Sequence, residues 1–251
     1  MFSPTLEIGS TTLSTYTTLV ALALFISVGF TLYRTAPEDR LPVLDVLIGG
    51  LVGGTILGRL EHVLLNWNYF AYNIAEITQV HQGGLDWHGV VIGAGIGMCL
   101  VSRWRKIALT PVLDRLTLLI PLLSLAIWWG CWGVSCRYGL EVATLADYPA
   151  WMVWQGSDIF GIYAPRFHTQ LIGMLLSGLL LVITLVLFWR KWLVYRRFWL
   201  LMAGVACIIF FISFLQGDYG IQINHLRLTQ YFDGIFILFP LYVGLRVHTR
   251  N

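Results

Sequence analysis

The sequence predicts an all-α, polytopic integral membrane protein, and three observations lead there. Hydrophobic residues make up 57% of the 251-residue chain and charged residues only 12%, about half the charged share of an ordinary soluble domain. Apolar runs recur along the whole length and leave no stretch for a soluble domain, so residues 1–251 read as a single transmembrane domain. No segment alternates apolar and polar residues in the manner of a membrane β-barrel strand.

About seven transmembrane helices follow from the apolar runs, at residues 11–33, 41–66, 88–102, 116–136, 168–189, 198–215 and 229–245. Most approach the ~20 residues that cross ~30 Å of hydrocarbon. The first lacks a basic leading segment and a small-residue exit, so it is expected to be retained as a span rather than cleaved. The second carries glycines at four-residue spacing (Gly49, Gly53 and Gly50, Gly54, Gly58), and the third repeats the pattern at Gly89, Gly93 and Gly97. Such ridges let two helices approach backbone to backbone, which would draw Arg59 and His88 together. The third run is short and is expected to begin in a loop that dips into the bilayer. The fourth holds Cys131 and Cys136, five apart. Neither disulfide nor metal spacing is persuasive there, so these two, like Cys99 and Cys207, are expected to be small packing residues. Two connections are long and aromatic, residues 66–87 (Trp67, Tyr69, Phe70, Tyr72, Trp87) and 138–167 (Trp151, Trp154, Phe160, Tyr163). Connections of that size are unusual unless they carry function. Amphipathic segments lying on the membrane surface would suit both.

Basic residues set the expected orientation. Arg34, Arg40, Arg103, Arg105, Lys106, Arg115, Arg190, Lys191, Arg196, Arg197, Arg246 and Arg250 fall in alternate connections, while the others carry Glu76, Asp86, Glu141, Asp147, Asp158 and Asp218. This places the N-terminus outside and the C-terminus in the cytoplasm, with the two long loops as extracytoplasmic, interfacial segments. The net charge of +3 reflects that asymmetry and is no sign of a nucleic-acid partner.

Four arginines break the pattern: Arg59, Arg137, Arg166 and Arg227. On this topology all four lie near the outer leaflet, and four guanidinium groups at one depth suit a phospholipid phosphate. The competing reading is that each snorkels to the interface by itself. Arg59 is the hardest to explain that way, because Glu61 and His62 make a polar knot beside it. Residues two apart point to different helix faces, so an Arg59–Glu61 pair is not expected. The segment Gly83-Gly84-Leu85-Asp86-Trp87-His88-Gly89 sets a titratable ring at the threshold of an apolar run, where it is costly unless paired or used.

These residues resemble the prolipoprotein diacylglyceryl transferase family. Thr15-Tyr16 looks like the family's tyrosine near its N-terminus. Gly58-Arg59-Leu60 with Val63-Leu64 is similar to its glycine-rich second span, and Gly83 to Gly89 to its Gly-Gly-Met-x-x-His-Gly segment. Pro165-Arg166-Phe167-His168-Thr169-Gln170-Leu171 resembles its Arg-His-Pro-Ser/Thr-Gln-Leu-Tyr-Glu segment. There are departures. Aligning the family's fourth-span signature on Tyr138-Gly139 puts Trp128 where an arginine is expected and leaves Cys131 and Cys136 on positions that tolerate cysteine. Gln216 stands where a second arginine is expected, and Leu171-Ile172-Gly173 lacks the Tyr-Glu. Gln offers only a neutral amide and Trp only one N–H, so Arg137 and Arg227 are expected to supply replacement charge.

The resemblance implies transfer of a diacylglyceryl group from phosphatidylglycerol to the thiol of a lipobox cysteine in preprolipoproteins, in the bacterial cytoplasmic (inner) membrane. That chemistry needs a thiolate and positive charge on the departing phosphate. His88 is the expected base, grouped with Tyr16 as the catalytic pair. Arg59, Arg166, Gln170, Arg137 and Arg227 are expected to hold the substrate, together with Gly89 and Gly139 of the family motifs. No metal and no other cofactor is expected; the partners are phosphatidylglycerol, preprolipoproteins and the lipid bilayer. Two other readings stand beside this one. The first is a divergent family member that binds phospholipid but has lost or changed the reaction. The second is a small lipid or solute transporter, for which Asp45 and Asp233 would be the exceptions in otherwise apolar spans.

Overall fold

The computed structural model describes residues 5–8, 11–80, 83–218 and 220–247. Its long elements are helices: α1 (Thr15–Tyr33), α2 (Arg40–Leu65), the single turn α3 (Trp67–Phe70), α4 (Trp87–Arg105), α5 (Leu109–Leu116), α6 (Leu119–Val134), α7 (Thr169–Trp189), α8 (Arg197–Ser213) and α9 (Leu228–Arg246). Three antiparallel hairpins accompany them: β1 (Thr5–Ile8) with β2 (Thr11–Ser14), β3 (Val153–Ser157) with β4 (Tyr163–Phe167), and β5 (Gln222–Ile223) with β6 (Leu226–Arg227).

The fold is all-α and membrane-associated, but the seven-span expectation is corrected. Among the described residues four helical stretches are long and apolar enough to cross a bilayer: Thr15–Tyr33, Pro37–Leu65, Thr169–Trp189 and Leu228–Arg246. A fifth exists only if α5 and α6, bent by 43°, count as one. The break has a local cause. Pro121 has no N–H to give the carbonyl of Thr117, and its ring crowds that carbonyl. Helix α4 has 19 residues, yet its glycines dilute the apolar content and Arg103 and Arg105 occupy its last turn. Helix α8, with 17 residues, falls short of the ~20 a span needs. The expected orientation counted seven successive crossings and does not stand on four or five. Arg250, part of that count, lies outside the described residues.

Helices α1, α7 and α9 turn large apolar residues outward, with Phe25, Leu179, Val182, Ile235, Leu238 and Phe239 all exposed. Their small polar residues point inward: Ser27, Ser177 and Thr184 are fully buried. The Ser124 and Ser177 hydroxyls meet at 2.8 Å between α6 and α7, and Thr184 donates to the Leu180 carbonyl. Apolar faces outside and small polar glue inside is the arrangement that hydrocarbon solvent favours.

The chain forms two compact units. In Phe30–Leu113, α2 lies along α4 on the glycine ridges, as their spacing predicts. A Cβ built on Gly93 would sit 2.1 Å from the Gly53 carbonyl, and one on Gly97 would sit 2.0 Å from that of Gly49. In the other unit, Met1–Gly29 with Asp114–Asn251, α6 packs on α7, α7 on α8 and α8 on α9. The long connection before α7 is chiefly the β3–β4 hairpin rather than amphipathic helices. Its aromatic and β-branched residues, among them Val153 paired with Phe167, suit a pleated surface.

Candidate functional site

Each unit carries a polar cluster that holds candidate residues. In Phe30–Leu113 it forms where the end of α2 meets the start of α4. Gly83 and Gly84, both left-handed (φ +90° and +76°), fold the chain back so closely that a Cβ on Gly84 would strike the Arg59 guanidinium and the His62 ring. Arg59 is buried and donates to four carbonyls of this loop: Nε to Ile77 (2.9 Å), Nη2 to Glu76 (2.6 Å), and Nη1 to Gly83 (2.7 Å) and Gly84 (3.3 Å). Phe70 stacks beneath it at 5.2 Å. Among the described residues no carboxylate pairs with it, so it staples the loop while keeping its charge.

His88 is 3% exposed. Its Nδ1 lies 3.1 Å from Glu61 Oε1, and the other oxygen of Glu61 accepts the N–H of Gly89. Asp86, at the N-terminal boundary of α4, makes no side-chain cap; Glu61 on α2 fills that place for an otherwise unpaired amide of the first turn. An ionised carboxylate only accepts, so Nδ1 is the donor to an ionised Glu61, an arrangement that in the neutral ring puts the lone pair on Nε2. His62 Nδ1 contacts Asp86 at 3.2 Å alongside.

The second cluster surrounds residues 138–142, bridged to Gln216 on one side and to Arg166 of β4 on the other. Gly139 is needed here because a Cβ would lie 2.1 Å from the Phe167 carbonyl. Arg166, 4% exposed, donates through Nη2 to Glu141 (2.8 Å) and Asp158 (3.2 Å) and lies over the Tyr138 ring. Gln170 at the start of α7 donates to the Cys136 carbonyl at 2.9 Å, and Thr169 donates to that of Arg137 at 2.6 Å. Arg227 bonds Asp218 (2.8 Å) and the Gln216 carbonyl (2.6 Å).

Arg137 differs from these arginines. Its guanidinium sits 5.2 Å above the ring of Trp128 and forms no salt bridge among the described residues. Trp128 is itself 1% exposed and pressed against Gly173, where a Cβ would lie 2.2 Å from the indole. Tyr16 packs on Gly130, two residues further along α6. The expectation that Cys131 and Cys136 are separate packing residues is corrected: they form a disulfide, with Cα atoms 4.6 Å apart. Ser135, left-handed at φ 56°, ends α6 and turns Cys136 back onto the Cys131 carbonyl. That reversal brings the two sulfurs into the range a bridge requires.

Three buried side-chain atoms lack a hydrogen-bond partner among the described residues: Arg166 Nε, His168 Nε2 and Gln216 Nε2. All three belong to this second cluster. His168 precedes α7, stacks on Trp154 at 4.5 Å and meets the edge of Trp132; burial lowers its pKa to about 4, so the ring is neutral. Sequence reasoning passed over His168, Glu61 as the partner of His88, and Asp158 and Glu141 as partners of Arg166. Only His168 had a nearby signal, its place between Arg166 and Gln170; the others pair across 8 to 27 residues.

The family described as prolipoprotein diacylglyceryl transferase matches residues 4–245. A Clostridium novyi protein named phosphatidylglycerol–prolipoprotein diacylglyceryl transferase is 27% identical over 210 residues, covering 82% of this chain and 80% of its own. A Synechococcus elongatus protein of the same name is 27% identical over 250 residues, covering 94% and 84%. One from Listeria monocytogenes is 28% identical over 130 residues, covering 51% and 46%. With a family match over nearly its whole length and identities below 30%, the chain belongs to the prolipoprotein diacylglyceryl transferase family as a divergent member.

Proposed function

We propose that the protein transfers the diacylglyceryl group of phosphatidylglycerol to the thiol of a lipobox cysteine in preprolipoproteins, in the bacterial cytoplasmic membrane. The carbon–sulfur bond forms as the bond from the glyceryl carbon to the phosphate oxygen breaks; the thiol loses its proton and glycerol phosphate departs. The observation that carries this reading is the second cluster. Among the described residues it combines a guanidinium without a carboxylate partner, Arg137, with unpaired polar atoms on Arg166, His168 and Gln216. Buried polar groups left unpaired are costly, and an anionic headgroup offers the acceptors that Arg137, Arg166 and Gln216 lack. His88, with Nδ1 held by Glu61, serves as the base for the thiol proton. Tyr16 and Gln170 order the surroundings of Arg137, Arg227 adds charge beside Gln216, and Arg59 shapes the loop before His88. Gly89 and Gly139 allow the close backbone approaches both clusters need.

One observation favours a second reading, phospholipid binding without this transfer. Trp128 stands at an expected arginine position, and Arg59, Arg166 and Arg227 are already engaged within the chain. The test is turnover by purified protein in phosphatidylglycerol liposomes with a lipobox peptide, read as thioether product. Product that disappears with His88→Ala supports transfer. Retained phosphatidylglycerol with no product, while a related transferase is active in the same assay, supports the second reading.

A further inference from the structure

We propose that the Cys131–Cys136 disulfide is a positioning element for Arg137, and that reducing it releases the guanidinium from Trp128 and weakens the hold on an anionic phospholipid headgroup; the second half rests on the functional reading above. The bridge closes the turn directly before Arg137. Two non-glycine residues within three positions, Ser135 (φ 56°) and Arg137 (φ 52°), are left-handed. Side chains adopt that region only where the surroundings impose it. Here the surroundings act on two sides. The disulfide and the Cys136 N–H to Cys131 carbonyl bond (3.0 Å) tie the turn to the end of α6. Gln170 and Thr169 tie the carbonyls of Cys136 and Arg137 to the start of α7.

Among the described residues the Arg137 side chain has no such anchor. It is placed over Trp128 by the backbone that carries it, with no salt bridge among the described residues to hold its tip. Were φ of Arg137 to return to negative values, its Cβ would point away and the cation would leave the indole face. Reduction frees that movement on one of the two sides. An added dithiol passes two electrons and two protons to the cystine, giving two thiols, and is itself oxidised to a disulfide.

The test uses the full chain in phosphatidylcholine nanodiscs and measures phenylglyoxal modification of individual arginines by mass spectrometry. Arg137 is expected to react several-fold faster after reduction and in the Cys131→Ser/Cys136→Ser variant, while Arg166 and the exposed Arg190 keep their rates. Reoxidation should restore the slow rate in the wild type and leave the variant unchanged. Equal Arg137 rates in oxidised and reduced protein would overturn the proposal. So would acceleration of all three arginines together, which would mark general loosening. Phosphatidylglycerol nanodiscs separate the two readings. If the oxidised protein gains no protection of Arg137 there, the headgroup assignment fails, while the positioning role still stands or falls on the phosphatidylcholine rates.

Discussion

Replacing Glu61 by glutamine isolates the contribution of one carboxylate to two donors at once. Glu61 accepts from His88 Nδ1 with one oxygen and from the Gly89 amide with the other. Glutamine keeps the shape but has only one acceptor oxygen, so its NH2 must face one of the two donors. If it faces the Gly89 amide, a first-turn N–H of α4 loses its acceptor, at about 1–3 kcal/mol. If it faces His88, the ring adopts the other tautomer, Nδ1 accepts, and the basic lone pair on Nε2 is replaced by a proton. Loss of a general base lowers turnover by roughly 10²–10⁴-fold, so in this second orientation Glu61→Gln is expected to approach His88→Ala in thioether formation. Its cost in stability should stay at about 1–3 kcal/mol. The assay is initial-rate product formation with phosphatidylglycerol and lipobox peptide, run beside denaturant unfolding of the same preparations. Wild-type turnover in Glu61→Gln with no loss of stability, while His88→Ala is inactive, would refute the idea that Glu61 serves both donors. Wild-type turnover in both would remove His88 from the chemistry.

At the other end of the second unit, Arg197 grips Asp114 through Nε (2.8 Å) and Nη2 (2.5 Å), both residues buried. Arg197→Leu should cost about 3–5 kcal/mol by stranding that carboxylate, whereas Arg197→Leu with Asp114→Leu should recover much of the loss in thermal unfolding. Gly93→Ala sets a Cβ against the Gly53 carbonyl. Forcing α2 and α4 apart is expected to destabilise the pair by about 1–3 kcal/mol, seen as faster hydrogen exchange in both helices. The pH dependence of unfolding reports His168. Its folded pKa of about 4 lies below the ordinary 6.5, so the unfolded chain binds the proton first as pH falls. Stability is then full above pH 6.5 and declines towards pH 4 by up to about 3 kcal/mol. His168→Phe keeps the stack on Trp154 and should flatten that decline.

The membrane class was legible because it rests on composition, which no packing detail alters. The α2–α4 contact was legible for a related reason, since glycines four apart make one ridge on any helix. His88 stood out because a titratable ring before an apolar run is costly wherever the chain goes. The number of spans was not legible. Apolar runs mark where a helix can be buried, but Pro121 bends one, glycines and arginines dilute α4, and α8 ends short.

Most of the candidate site needed the tertiary structure. The four unusual arginines look alike in sequence, yet Arg59 serves loop carbonyls, Arg166 and Arg227 serve carboxylates, and Arg137 is left with an aromatic face. Cys131 and Cys136 became a disulfide because a left-handed residue at Ser135 reverses the chain, a conformation that serine does not announce. Composition and motifs suffice for the solvent this protein lives in, the family it belongs to and the side chains available for chemistry. Which of those side chains pair with one another was decided only by the fold, because partners such as Glu61 and His88 meet across 27 residues, and no local pattern encodes a contact of that range.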